Sequence, residues 1–399
     1  AGCGLSCDAH SLLRPPADGR GLVLAVRRAG ARRVDGVAGH GVAIPAADAA
    51  EAAGLRRALG DDLPGVFGTK GAIGHTLGCA ALLDVAACTV ALEQGFLPGT
   101  PGGGDPGVPL EVHRRSSTAE LGSLLAVSAG FGGINAAVHL RLGAGEGRAP
   151  RRDPRRVFVH AAAFLDGDHL GDAAGVRRWR EAGAPARPPA RLFFDDLLSL
   201  GRLDLASRYV LAASSLLPAV DAEQRQRTGV ILGSSTGSLD ADQRFADSLE
   251  RRPAGRLFAR ILPSVPASEV AIRYGYRGPI YTLLQPRDAA LLALVAAAQE
   301  IQLGHTSAAV AGGFEAVEGA RAAGPWALLA LLSSSPPAGP GYELTLSTEH
   351  GAGPPPSPLG LFDLVMDRRP ARFTLGCAAG GNVVQLRFRR LEREEQVTP

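Results

Sequence analysis

Two histidines and one lysine stand apart in this chain of 399 residues. Lys70 is the sole lysine among 42 basic side chains, and His75 follows it by five positions. His40 ends a short apolar run on a turn flanked by Gly39 and Gly41. A neutral imidazole offers one N–H and brings no positive charge, so a pair of them suits an oxygen on which negative charge develops. A helix starting at His75 would set that ring at the positive end of the dipole, where imidazolium is disfavoured. Phe131 lies between Gly130 and Gly132, where the backbone can approach a ligand closely. Each residue alone reads more readily as packed core. Their order along the chain is what points to chemistry.

Other motifs are weaker. Gly233-Ser234-Ser235-Thr236-Gly237 matches the serine-hydrolase elbow G-x-S-x-G, placed after a strand and before a helix. Only His305 and His350 remain downstream as partners, and a nucleophile without its base carries little. Cys3, Cys7 and His10 lack the fourth ligand of a structural zinc, so no metal is expected. The five cysteines, with Cys79, Cys88 and Cys377, are odd in number and lack framework spacing, which predicts a reduced, cytoplasmic protein. A formal charge of +3 demands neither nucleic acid nor anionic membrane. No uninterrupted apolar run of about 18 residues predicts a membrane span. Ala1 opens the chain without Met or a leader, which reads as a cropped start with no export signal.

The length exceeds what one core usually fills, so two units are expected. In residues 1–143 the pattern predicts a helix over 21–33 and a strand over 34–39. A second helix is predicted over 48–59, with Asp48 as N-cap and Glu51 completing a capping box. A strand at Val66-Phe67 and an apolar helix over 75–94, stopped by Gly95 and Pro98, follow. Such a helix should be buried between layers. A loop at 101–108 and strands at 122–128 and 135–142 close the unit. Residues 144–155 are rich in Gly, Arg and Pro and read as a linker. In 156–390 strands are predicted at 156–164, 228–232, 281–284 and 308–313, with helices near 267–275 and over 288–303. A Pro-rich loop over 335–358 and strands at 372–376 and 382–389 end the unit, leaving a tail at 391–399. Arg-rich 177–194 reads as a solvated helix face and loop. The alternation implies α/β layering with partly parallel sheets. The endings AGFGGINAAVHLRL and CAAGGNVVQLRFRR echo one another, as a duplicated ancestor would leave them.

The run GCGLSCDAHSLLRPPADGRGLVLAVRRAG resembles the start of the C-terminal half of β-ketoacyl-acyl-carrier-protein synthases. GHGVAIPAADAAEA is similar to that family's first histidine motif, GTKGAIGHTLGCAALLDVAA to its Lys/His motif and AGFGGINAAVHL to its phenylalanine–glycine turn. Two departures stand out: HGVAIP lacks the hydroxyl residues usual after the glycine, and Ala129 stands where the family often has Phe. RTGVILGSSTGSLDAD, PSVPASEVAIRYGYRGPIYTL and AAVAGGFEAV resemble the family's N-terminal half in order. Counting eight residues from Pro279 places Arg287 where the family has its nucleophilic cysteine. Arg287 is expected to be buried, held by backbone carbonyls, Asp288 or Glu315, and to plug a vestigial pocket.

The resemblance implies a thiolase-like α-β-α-β-α architecture: the C-terminal half of a synthase, then a shortened unit like a chain-length factor. A cysteine-bearing half would precede residue 1. The implied reaction is decarboxylative condensation of an acyl thioester with malonyl-acyl-carrier protein, in fatty-acid or polyketide synthesis. His40 and His75 would stabilise the enolate, Lys70 would orient acidic groups of the site, and the Phe131 ring would gate the pocket while its N–H completes an oxyanion hole. Gly130, Gly132, Gly133 and Asn135 would shape the substrate-binding turn. No cofactor is implied beyond the carrier's phosphopantetheine arm. The implied partners are acyl carrier protein and a second ketosynthase subunit. The alternative is a non-catalytic partner that shapes an acyl tunnel.

Overall fold

The computed structural model describes residues 2–102, 107–143, 154–165, 170–171, 203–250, 253–316, 326–338, 341–349, 372–379 and 382–391. The chain divides into two units, Ala1–Arg152 and Asp153–Pro399. Most of the expected linker, nearly all of the tail and the Arg-rich 177–194 segment lie outside the described residues.

The first unit runs β1 (Gly2–Cys7), α1 (Arg20–Arg28), β2 (Gly36–Ala38), α2 (Pro45–Leu59), β3 (Val66–Phe67), α3 (Lys70–Ile73) and α4 (Ala80–Gln94). β4 (Phe96–Leu97), β5 (Ser117–Thr118), β6 (Ser123–Gly130) and β7 (Ile134–Arg141) complete it. Its main sheet has the order β1-β7-β6-β2-β3. β2 pairs in parallel with both β3 and β6. Flanked on both sides, β2 consists only of buried small and branched residues, Gly36, Val37 and Ala38. One core joins α1 to Leu55 of α2 against Val37, Leu125 and Val127; a second sets Cys88, Ala91 and Leu92 of α4 against Phe67, Leu124 and Ala126.

Four expectations need correction here. α1 ends at Arg28 instead of 33, because Gly30 turns at φ 70°. α2 starts at Pro45 with Ile44 as N-cap, so Asp48 lies in its first turn and the capping box does not form. Proline fits the first helical position, where no N–H is needed. The helix expected over 75–94 starts later: Gly74 at φ 77° ends α3, His75 and Thr76 are loop, and a 3-10 turn (Leu77–Cys79) leads into α4 at Ala80. Nor is α4 buried between layers within this unit. Ala80, Asp84, Cys88, Ala91 and Leu92 are buried, while Leu82, Leu83 and Val90 are exposed. The continuous stretch Leu77–Gln94 is long and apolar enough to cross a membrane by length and composition. Its packing on β6 and its buried Asp84 make it a sheet-covering helix in this unit.

The second unit runs β8 (Val157–Leu165), β9 (Leu170–Gly171), α5 (Leu205–Ser215), α6 (Ala222–Arg225), β10 (Thr228–Ser234), α7 (Leu239–Leu249), α8 (Gly255–Phe258) and α9 (Val265–Tyr274). β11 (Ile280–Leu284), α10 (Ala289–Gln302), β12 (Ala308–Glu315), β13 (Trp326–Ser333), β14 (Tyr342–Glu349), β15 (Arg372–Ala379) and β16 (Asn382–Arg390) follow. The sheet order is β11-β10-β12-β13-β8-β14-β16-β15, with β9 beside β8. β10 is parallel to β11 and β12, as the alternating pattern required. α10 is almost wholly apolar because most of its circumference is buried: Leu291, Leu294 and Ile301 share one core with Val157, Ala311, Leu332, Leu344 and Phe388, and the stripe of Leu292, Ala296 and Gln299 reaches the surface. The expected Pro-rich loop contains β14, and β13 was not foreseen. The echoed endings are both antiparallel hairpins, β6-β7 and β15-β16.

Candidate active site

Three neighbouring strands deliver the candidate residues to one sheet edge. β6, β2 and β3 run parallel, so the residues after them (Phe131, His40 and Lys70) leave from the same side. In α/β sheets that carboxyl edge is where ligands bind.

The His40 turn is clamped by α2. Glu51 accepts the backbone N–H of His40 at 2.6 Å and of Gly41 at 2.9 Å, and Asp48 Oδ1 accepts that of Val42 at 3.1 Å. These are the two acids read from sequence as a capping box. Glu51 is buried, and burial pushes its carboxyl above the ordinary value despite the two backbone donors. Spacing alone hid this, since Asp48 and Glu51 make an equally good helix start.

His40 and His75 meet edge to face, with ring centroids 5.8 Å apart and an interplanar angle of 82°. Burial, then the charge of Lys70, then His75, lower His40 to about 4, so its imidazole is neutral at pH 7. Its Nδ1 is buried and has no hydrogen-bond partner among the described residues. His75 is exposed and lies in the loop between α3 and the 3-10 turn, five residues before α4 begins at Ala80, so it does not occupy the helix start expected for it.

Lys70 is nearly buried beside a residue that the sequence reading passed over. Asp84, 1% exposed on α4, takes Thr69 Oγ1 at 2.6 Å on one oxygen and Lys70 Nζ at 3.3 Å on the other. The signal was a lone acid in an otherwise apolar helix turn. The pair fixes the loop that carries His75 to the helix behind it.

The Phe131 turn is tied down by the segment that follows β1. Gly132 N donates to Leu12 O at 2.7 Å, and Gly133 O accepts Asp8 N at 2.8 Å. Gly133 has φ 76°, and a Cβ there would lie 2.9 Å from Asp8 Cβ, so glycine is required. Asn135 is buried, donating its amide to Asp8 Oδ1 and Gly133 O, both at 3.0 Å. It holds the turn from behind. Burial raises the Asp8 carboxyl to about 6, against the opposing Asn135 hydrogen bond and the Arg20 and His10 charges. Gly130 is extended, Gly132 is left-handed at φ 82°, and the Phe131 ring is left 42% exposed.

Arg287 corrects a further expectation. It is exposed in the Gln285–Asp288 turn between β11 and α10, and among the described residues no ion pair holds it. Asp288 takes the left-handed conformation, φ 58°, that starts α10. Glu315 instead accepts Ser235 N at 2.6 Å, Thr236 N at 3.2 Å and the Thr236 hydroxyl. That loop is the G-x-S-x-G segment. His305 sits before β12 and pairs with Glu300 at 3.0 Å, whereas Ser235 follows the end of parallel β10. With His305 the hydrolase reading fails on geometry, and His350 lies outside the described residues.

The fold and this site define a thiolase-like α/β protein. A solved structure named PfaC Keto synthase-Chain length factor is similar over 99% of this chain and 62% of its own, with TM-score 0.69 and 11% identity, a likeness of fold. Residues 1–103 match the β-ketoacyl synthase C-terminal domain and residues 201–340 the β-ketoacyl synthase N-terminal domain. The chain belongs to the β-ketoacyl synthase family. The 3-oxoacyl-[acyl-carrier-protein] synthase 2 of Rhizobium meliloti is 33% identical over 151 residues, 35% of this chain and 36% of that protein. The mitochondrial 3-oxoacyl-[acyl-carrier-protein] synthase of Arabidopsis thaliana is 30% identical over 154 residues, 34% of this chain and 33% of its own. The matched region thus spans about a third of these relatives' length.

Proposed function

We propose that the first unit is the decarboxylating half of a β-ketoacyl-acyl-carrier-protein synthase site. The observation that carries this reading is the neutral His40 ring edge to face with His75, beside the buried Lys70–Asp84 pair. When a malonyl thioester loses CO2, the electrons of the broken C–C bond form an enolate. Two imidazole N–H groups can hold its oxygen without a competing charge. The enolate carbon then attacks a cysteine-bound acyl carbonyl, and the thiolate leaves.

The acyl-accepting cysteine is not supplied by the described residues. Cys7 and Cys88 are buried, and burial pushes the Cys88 thiol up to about 12. Cys3 and Cys79 are exposed but fall outside the family's nucleophile position. Arg287 stands at that position in the second unit, and a guanidinium is no nucleophile. The second unit therefore reads as a non-catalytic, chain-length-factor-like partner. Acyl carrier protein bearing phosphopantetheine and a cysteine-bearing ketosynthase domain are the partners this requires, in the cytoplasm and with no further cofactor.

The test is a condensation assay with acyl- and malonyl-carrier proteins, read by mass spectrometry. The chain alone should form no β-ketoacyl product. Supplied with a cysteine-bearing N-terminal synthase domain, it should do so, and His75→Ala should lower malonyl decarboxylation about a hundredfold or more. Condensation by the chain alone, acylation of one of its own cysteines, or an unaffected His75→Ala protein would overturn the reading.

A further inference from the structure

The turn that carries His40 runs on into a surface that water does not favour. Ala43, Ile44, Pro45 and Ala46 are four consecutive apolar residues, and all four are exposed. Ile44 is 51% exposed, and half-buried Val42 leads into the run. Such a run is unfavourable unless a ligand or partner meets it. It follows β2, at the sheet edge where the Phe131 ring is also left open.

The local fold gives Ile44 no reason of its own. It is the N-cap of α2 and makes no side-chain cap hydrogen bond. Isoleucine is among the poorest residues there, whereas Ser, Thr, Asp or Asn would bond an N–H of the first turn. Ala43 is held at φ 58°, a left-handed backbone that persists in a residue other than glycine only where the surroundings fix it. They do fix it. Glu51 takes the N–H of His40 and Gly41, Asp48 that of Val42, and Phe67 O that of Gly39 at 2.8 Å. Four successive N–H groups thus point into the unit, and residues 39–46 hold no polar side chain except His40. Beside the imidazole the turn presents methyl groups on a firm support.

We propose, on the thioester reading of this site, that Ile44 and Val42 determine its specificity by seating the methylene segments of the substrate's thioester arm, with no side-chain hydrogen bond to the arm's amides. Methylenes laid on these side chains gain by leaving water. An amide set there leaves water without a side-chain partner and is penalised. The turn reads the arm by apolar contact, while the His40 and His75 N–H groups address the thioester oxygen.

The experiment titrates the full chain, isotope-labelled at histidine, with S-acetyl-N-acetylcysteamine and with S-pentyl thioacetate, whose arm has the same length and no amide. Binding is read from the His40 and His75 ring resonances by NMR. The pentyl arm should bind about fivefold more tightly than the amide arm. Ile44→Ala should weaken the pentyl arm about fivefold and leave the amide arm within about twofold, and Ile44→Leu should keep the wild-type preference. Leu249→Ala, at a similarly exposed leucine on α7 of the second unit, should change neither. As Ile44 is half exposed, Ile44→Ala should keep the wild-type thermal midpoint; if it does not, Ile44→Thr, a favoured N-cap, takes its place. Equal or tighter binding of the amide arm would mean that the Ala43 and Ile44 N–H groups, unbonded among the described residues, recognise it; the proposal then falls while the thioester site stands. An unchanged preference in Ile44→Ala and Ile44→Thr would overturn it as well. If neither probe moves the two ring resonances up to its solubility limit, the thioester reading fails and the proposal with it.

Discussion

The carboxylate of Glu51 holds the peptide N–H of His40 at 2.6 Å, so the position of a candidate catalytic ring is set by a buried acid on a different element. Glu51→Ala would remove the acceptor of two backbone N–H donors, those of half-buried His40 and exposed Gly41. We expect a loss of about 1–3 kcal/mol in urea unfolding, on the usual contribution of hydrogen bonds to a charged group. Glu51→Gln keeps one acceptor oxygen and should lose about half as much. Equal stability of Glu51→Ala and wild type would show that the clamp does not hold the turn.

Breaking the Lys70–Asp84 pair should be severe, since the side chains are only 10% and 1% exposed. Asp84→Ala leaves a lysine in a nearly buried site and should cost about 3–5 kcal/mol. Asp84→Asn retains the acceptor for Thr69 and should cost less. Thermal unfolding of the two variants, compared with wild type, reads this order directly.

Acid should act on two groups in opposite directions. His40 titrates at about 4 in the fold against an ordinary 6.5, so the unfolded chain takes up the proton first and stability falls as pH drops from 6.5 to 4. Asp8 is raised from 3.8 to about 6, so its contribution is full below 3.8 and is lost as pH rises through 6. Asp8→Asn should therefore gain stability relative to wild type at pH 8 and lose that advantage at pH 4. His40→Gln should flatten the decline below 6.5. Unfolding midpoints across this range, with the His40 ring followed by NMR, check both signs.

Gly133→Ala should destabilise the Phe131 turn by more than about 1 kcal/mol, because alanine is strained at φ 76° and its Cβ would meet Asp8. A neutral Gly133→Ala variant would mean that the turn relaxes without cost.

Arg287→Ala should stay within about 0.5 kcal/mol of wild type, as befits an exposed side chain with no ion pair among the described residues. Arg287→Cys should likewise add no condensing activity to the second unit. A product in that assay would reveal a working site there.

Much was legible along the chain because it is local. Gly95 and Pro98 mark the end of α4, the alternation of β7 follows its pairing between β1 and β6, and Lys70 announces itself as the only lysine. The order of His40, Lys70, His75 and the Phe131 turn was also enough to point to the family. What the chain could not disclose depends on which elements come together. Asp48 and Glu51 satisfy a helix start on paper, yet Pro45 already begins α2, and those carboxylates turn to the His40 loop. Asp84 has no meaning until α4 packs beside Thr69 and Lys70. Arg287 counts to the nucleophile position, but burial is a property of the surrounding fold, and the turn between β11 and α10 leaves its guanidinium in water. Periodicity reports which face of an element is apolar; only tertiary packing decides whether that face is covered, as it is for α10 and is not for α4 within its unit.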